Sequence, residues 1–387
     1  MTAPLPYSRQ EIAAADLAAV AEALRAPLIT QGPMVDRFES ELAAFVGAEH
    51  AVVFNSATAA LHAAYAVLGV GPGASVLTTP ITFVATANAA LYLGGGVRFA
   101  DVDPATALID PDAADDQGDP SVKVLTPVHF GGEVASLEVL AAVAEARGWA
   151  VVEDASHALG ATYRSQQGSE HRVGACAHST MCCFSFHAVK QITTGEGGAV
   201  TTNDGDLDRR LRMFRSHGIT RDRSRMERVD GPWYYEQHGL GYNYRLTDFQ
   251  CALGRSQLAR LPEWIVRRRQ LASRYEARLV GIDGVVPLRR PKGSTGAHHL
   301  FVVRVQPADR LRIFEALAGQ GIGVNVHYIP VYRQPYHRAH GSSGVLRPGA
   351  EEYYESALTL PLFHGMTDAD VDRVVTALER AVLGAPV

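Results

Sequence analysis

The feature that most constrains this chain is a rhythm: a short apolar run, then a segment of helical periodicity, repeated through its first half. Ala51-Val52-Val53-Phe54 reads as a buried strand, and residues 57–68 as a helix with Leu61, Tyr65 and Leu68 along one face. Residues 75–79 form a second expected strand, followed by a helix over 85–93 and a strand over 97–101. Strands over 122–126 and 149–153 flank a helix in which Leu137, Leu140, Ala141 and Ala144 share a face. Further strands are expected over 180–184 and 199–202. Strands alternating with helices of this length predict an α/β fold, a mainly parallel sheet covered by helices on both faces.

Beyond residue 250 the texture changes. Long helices are expected over 253–261 and 265–279, interrupted at Pro262. A strand over 300–305, a helix over 311–318, a strand over 322–326 and a closing helix over 367–383 make a smaller α+β unit. Thr367 is placed to cap the last helix, with Asp368 and Asp370 in its first turn. The expected division is an N-terminal arm over 1–30, a large α/β domain over 31–250 and a small C-terminal domain over 251–387. Residues 112–121 and 163–172 read as polar surface loops. The basic runs Arg209-Arg210-Leu211-Arg212 and Arg267-Arg268-Arg269 read as solvated helix faces.

The 36 basic and 41 acidic residues give a formal charge of −5, which makes no electrostatic case for nucleic acid. Cys176, Cys182, Cys183 and Cys251 form no C-x-x-C pair. The expectation is reduced thiols in a cytoplasmic protein. No signal peptide is read in the first residues, and no uncharged apolar stretch reaches membrane-spanning length. His337 and His340 lack a supporting carboxylate pattern, so both are expected at the surface and no metal is called for.

Three stretches carry chemistry. In Phe184-Ser185-Phe186-His187-Ala188-Val189-Lys190, a lysine sits between an apolar strand and a Gly/Thr-rich turn. Desolvation there would lower the amine's pKa, as a nucleophilic lysine requires; an ordinary loop lysine is the competing reading. In Val151-Val152-Glu153-Asp154-Ala155-Ser156-His157, a carboxylate ends a strand, where open α/β sheets bind ligands; a loop-bracing role competes. His157 fits either a supporting partner or a packed core histidine. Asn55-Ser56-Ala57-Thr58 stands at a strand-to-helix junction, a natural phosphate seat, with Ser56 as a plain helix cap the alternative. Neither G-x-G-x-x-G nor G-x-x-x-x-G-K-[ST] occurs, so a nicotinamide-dependent oxidoreductase lacks its fingerprint.

Together these segments resemble the DegT/DnrJ/StrS sugar-nucleotide aminotransferases, fold-type I enzymes of pyridoxal 5'-phosphate (PLP), over nearly the whole chain. The resemblance implies an aspartate-aminotransferase-like fold with the PLP site in the large domain. It makes Lys190 the Schiff-base lysine, Ser185 a phosphate ligand with Ser56, Ala57 and Thr58, and Asp154 the carboxylate on the pyridine nitrogen. His157 falls beside the cofactor's phenolic oxygen, and Phe83 on the aromatic that stacks against its ring. In Gly241-Tyr242-Asn243-Tyr244-Arg245, the resemblance has Asn243 reach the phosphate of a neighbouring subunit, implying a homodimer with shared sites. Tyr7, Thr30, Gln31, Arg245, His327 and Tyr328 are the implied nucleotide-sugar contacts. Lysine rather than histidine at 190 argues against the family's dehydratases.

Many relatives have Ser-Gly-Thr where this chain has Ser56-Ala57-Thr58, and the added methyl restricts backbone torsions open to glycine. That variant resembles the transaminases of pseudaminic acid biosynthesis, as do Pro80-Ile81-Thr82-Phe83-Val84-Ala85-Thr86-Ala87-Asn88 and Val326-His327-Tyr328-Ile329-Pro330-Val331-Tyr332. The implied reaction moves an amino group, by family analogy from L-glutamate, to C4 of a UDP-linked 4-keto-6-deoxy N-acetyl hexosamine. A different 3- or 4-keto nucleotide sugar, or a PLP-binding protein without turnover, is the alternative.

Overall fold

A computed structural model describes residues 3–342 and 346–384. The first residues of the expected arm and the last of the expected small domain lie outside that range. Seven strands form the main sheet: β1 (His50–Phe54), β2 (Ser75–Thr78), β3 (Gly96–Phe99), β4 (Val122–Thr126), β5 (Ala150–Asp154), β6 (Met181–Ser185) and β7 (Gly198–Thr202). Their order is β1-β7-β6-β5-β4-β2-β3. All neighbours pair in parallel except β7, which runs antiparallel between β1 and β6. β6 and β7 are buried along their whole length, as strands covered on both faces must be. Alternation across β6 sends Cys182 into one core layer and Cys183 into the other. The four cysteines are free thiols.

Two helices precede the sheet, α1 (Ala14–Arg25) and α2 (Pro33–Val46); α3 (Ala57–Val67), α4 (Ala85–Leu91), α5 (Leu137–Arg147) and α6 (Gly205–Arg215) follow its strands, and α7 (Asp248–Leu258) and α8 (Leu261–Leu279) come after it. Pro262 does not interrupt a helix; it occupies the first turn of α8, where its missing N–H costs nothing. Beyond it, β8 (Val285–Pro287), β9 (Phe301–Val305) and β10 (Ala357–Leu360) form an antiparallel sheet. Helices α8, α9 (Arg310–Gly319) and α10 (Asp368–Val382) enclose its core, which includes Leu271, Tyr275, Val303, Leu317, Leu358 and Leu378.

Three further expectations fail for identifiable reasons. Residues 322–326 are not a strand: single bridges, Leu5 to Ile322 and Asn325 to Thr359, leave them a loop along the sheet edge. Residues 163–172 are not a plain surface loop, because Thr162–Arg164 and Glu170–Arg172 pair as a hairpin over buried Tyr163. Arg268 is no solvated residue either. It is 1% exposed and its Nη1 donates to the carbonyl oxygens of His298 (3.2 Å) and Leu362 (3.0 Å). A basic run shows charge, but only the packing of α8 shows which of three arginines faces inward.

One buried carboxylate holds the start of α2 to the rest. Asp248, in the first turn of α7, accepts from the N–H groups of Gly32 (2.8 Å) and Met34 (3.0 Å), capping α2 from another element. The approach is close enough that a Cβ on Gly32 would meet Asp248 Oδ1 at 2.5 Å. Replacing Asp248 with Ala leaves two helix-start amides unpaired. It should lower the unfolding free energy by about 2–3 kcal/mol, read as an earlier urea midpoint by circular dichroism. Asp248→Asn should lose less, because one oxygen still accepts; an unchanged midpoint for the alanine variant would remove this cap from the account.

Candidate active site

The carboxyl ends of five strands open on one cleft of about 670 Å³. After β1 come Ser56, Ala57 and Thr58; after β2, Thr82, Phe83 and Thr86; after β4, Val128. Beta-5 contributes Asp154, Ser156 and His157, and β6 contributes Ser185 and Lys190. Tyr7 and the segment Asn325–Ile329 close the far wall. This is the crevice that an open parallel sheet leaves at its carboxyl edge.

Lys190 follows a turn beyond β6, its N–H donating to the His187 carbonyl at 2.9 Å. Its side chain reaches the cleft but is enclosed enough that burial lowers its pKa to about 8, with the Asp154 carboxylate pulling the other way. The amine is therefore neutral in a useful fraction near neutral pH.

His157 is kept uncharged. Burial, then the charges of Lys190 and His327, drive its pKa well below the usual value. Gly131 N–H donates to its Nδ1 at 3.3 Å, which leaves the ring proton on Nε2. Nε2 lies 3.2 Å from the Tyr328 hydroxyl, so the imidazole donates and the tyrosine can pass its own proton into the cleft. His299 packs behind, 4.4 Å between ring centres. His327 is held by Thr359 Oγ1 (2.9 Å) and lies 5.4 Å from the Tyr7 ring; burial and then the Lys190 charge push its pKa down to about 4.

The opposite end of the cleft suits an anion. Ser56 caps α3 by accepting from Ala59 N–H (3.1 Å), so the capping role is real. Ala57 and Thr58 begin that helix and line the cleft, where first-turn amides have no helical partner. Ala57 has ordinary helical torsions, so the Ala-for-Gly change costs nothing there. Gly198 is needed instead: a Cβ there would meet Ala57 N at 2.6 Å. Ser185, at the end of β6, accepts from His187 N–H (3.4 Å). Phe83 is 60% exposed within this cleft, 6.3 Å from the Tyr328 ring, an apolar face with no cover of its own.

Thr30, Gln31, Asn243 and Arg245 do not line this cleft. Thr30 bridges to Thr247 and Asn243 to Ser216. Conversely, Thr82, Thr86, Asn325 and Gln334 line the cleft but were not singled out in the sequence. Thr82 lies in the bend before α4 and Thr86 within it, so no periodic pattern marks the meeting of their hydroxyls. His337 is buried rather than at the surface, with Nε2 3.0 Å from Asn88 Oδ1.

Residues 10–379 match the DegT/DnrJ/EryC1/StrS aminotransferase family. The chain belongs to that family. It is 38% identical over 387 residues to the spore coat polysaccharide biosynthesis protein SpsC of Bacillus subtilis (strain 168), covering 98% of each chain. Helicobacter pylori PseC, an aminotransferase involved in the biosynthesis of pseudoaminic acid, superposes with a TM-score of 0.91 at 30% identity. That match covers 98% of this chain and 100% of PseC. Spr1654 from Streptococcus pneumoniae in its PLP form gives a TM-score of 0.90 at 28% identity, covering 99% and 100%; a form with pyridoxamine phosphate (PMP) is also known. As a member of this family the chain is a PLP-dependent sugar aminotransferase of fold type I.

The cleft fits that cofactor: an enclosed amine of lowered pKa, an uncovered aromatic face, a buried carboxylate and a helix start are the donor set an aromatic aldehyde phosphate needs. Because only the neutral amine attacks an aldehyde, PLP uptake by the apoprotein should accelerate with pH and be half-maximal near pH 8. Stopped-flow absorbance would show it. Lys190→Ala should leave no borohydride-fixed adduct by mass spectrometry; an adduct on another lysine would sink the assignment.

Proposed function

We propose that this enzyme transfers an amino group from L-glutamate to C4 of a UDP-linked 4-keto-6-deoxy N-acetyl hexosamine, in a pathway of the pseudaminic acid type. The observation carrying the reading is that Asp154 and His157, Lys190, and Tyr328 come from three separate segments yet line one cleft with Phe83. The match to PseC along the whole chain supports the pathway.

PLP, when bound, supplies an electron-withdrawing ring that lets an amino group and a proton exchange carbons. Lys190 would carry it and, once released, move the proton at the substrate carbon with Nζ. Asp154 would hold the proton on the ring nitrogen. Ser56, Ala57, Thr58 and Ser185 would seat the phosphate, and Phe83 would cover the ring. The His157–Tyr328 pair would steady an oxygen on the cofactor or sugar, because its protons are already aligned. Tyr7 and His327, across the cleft, would face the sugar.

Asn243 fits the same reading from outside. It is exposed and away from this chain's own cleft, as a residue reaching a second subunit's phosphate must be. The protein is accordingly proposed to be a homodimer with shared sites, and Thr30, Gln31 and Arg245 to meet the nucleotide there. We also propose that residues 1–30 act as an arm, 31–250 as the cofactor domain and 251–387 as the small domain. A cytoplasmic location agrees with the free thiols. Among the described residues no helix is long and apolar enough to cross a membrane.

SpsC, at higher identity and named for coat polysaccharide synthesis, supports a second sugar-level reading, another 3- or 4-keto nucleotide sugar. The deciding assay incubates the PLP-loaded enzyme with L-glutamate and a panel of UDP- and dTDP-linked 3- and 4-keto sugars. Product identified by NMR as the 4-amino UDP-N-acetyl sugar is expected. Amination of a different member would correct the sugar. Conversion of bound PLP by no amino acid would mean a binder without turnover.

A further inference from the structure

Thr86 has no part in the chemistry above, yet it touches the residue on which that chemistry depends. It is the second residue of α4, 1% exposed, with Oγ1 2.7 Å from Asp154 Oδ2. Thr82, also buried, places its Oγ1 2.7 Å from the same hydroxyl. A hydroxyl has one proton to give, and three acceptors surround Thr86: Asp154 Oδ2, Thr82 Oγ1 and the Phe83 carbonyl at 3.3 Å. A carboxylate can only accept, and bonds to it are the stronger kind, so the Thr86 proton goes to Asp154. Thr86 Oγ1 is then free to accept, and Thr82 donates to it. The result is a one-way chain, Thr82 to Thr86 to Asp154.

The other carboxylate oxygen is held as well, Oδ1 accepting from Ser156 N–H at 3.1 Å. One bond on each oxygen fixes the plane of the carboxylate about its Cβ–Cγ bond. Thr86 itself is rigid: it is β-branched, sits in a helix and has its carbonyl 3.3 Å from the Tyr65 hydroxyl in the core.

We propose that Thr86, supplied by Thr82, is a positioning residue that orients the Asp154 carboxylate so that its remaining lone pairs meet the protonated ring nitrogen of PLP. The proposal rests on the reading of Asp154 as the ring-nitrogen partner. It separates two jobs: Asp154 supplies the charge, and Thr86 sets the angle at which that charge is presented.

Thr86→Val removes the hydroxyl and keeps the branched shape, Thr86→Ser keeps the hydroxyl, Thr82→Val cuts the supply, and Asp154→Asn is the control. Three quantities are measured for each: PLP affinity of the apoprotein by fluorescence titration, the pH dependence of the visible band of the loaded protein, and kcat with KM for L-glutamate. A misaligned partner should lower kcat in Thr86→Val roughly 10- to 100-fold, weaken PLP binding and displace the band's pH midpoint. Thr86→Ser should return all three toward the parent, and Thr82→Val should move them the same way by less. Thr86→Val with parental affinity and pH midpoint overturns the proposal. So does a serine variant as impaired as the valine one, since that assigns the effect to packing. If Asp154→Asn itself matches the parent, the reading of Asp154 fails; if it changes and Thr86→Val does not, only the role of Thr86 fails.

Discussion

Parallel pairing is the constraint from which the rest of this molecule follows. A strand that must lie parallel to its neighbour forces the chain back across the sheet through a helix, so all strands paired that way finish at the same edge. Five of the strands here finish in short loops before their helices or turns, and those loops hold most of the reactive groups. Residues from Ser56 to Lys190, distant along the chain, thereby become neighbours. The antiparallel strand β7 adds the tight packing of Gly198 against the start of α3.

The electrostatics are set by enclosure more than by pairing. Lys190, His157, His299 and His327 crowd one region, and burial lowers the pKa of each. The three imidazoles therefore stand neutral, and Lys190 is brought within reach of its neutral form near pH 8, with the Asp154 carboxylate opposite. A neutral amine can attack and a neutral imidazole of fixed tautomer can donate, which charged groups in the same positions could not do as well. The backbone N–H of Gly131 has an effect out of proportion to its size here: by occupying Nδ1 it decides which nitrogen of His157 carries the proton.

Support for the cleft comes from buried polar groups that face away from it. Asp248 caps α2 across elements, while Asp16 receives Ser256 Oγ at 2.7 Å and Gln257 Nε2 at 3.1 Å, tying α1 to α7. His129 and Glu153 pair at 2.8 Å on the face of the sheet opposite Asp154. Each satisfies polar atoms that burial would otherwise leave costly.

The strand-and-helix rhythm was legible because burying a sheet on both faces demands apolar strands, and covering it demands amphipathic helices. Lys190, Asp154 and Ser56 were legible as candidates from their places at strand ends, but a loop lysine, a bracing carboxylate and a helix cap look the same locally, and only the resemblance over the whole chain gave them roles. The edge loop at 322–326 was not, since an apolar run looks the same whether or not a neighbour pairs with it. Arg268 and His337 were misplaced for a related reason: residue type shows polarity, while burial depends on which helix face meets the core. The chain alone determined the order of elements and the inventory of reactive groups, both written in local pattern. Only the tertiary structure decided that Thr86 meets Asp154, that Gly131 fixes the proton of His157, and that Asn243 lies outside its own cleft. Those are contacts between segments whose spacing along the chain carries no trace of their distance in space.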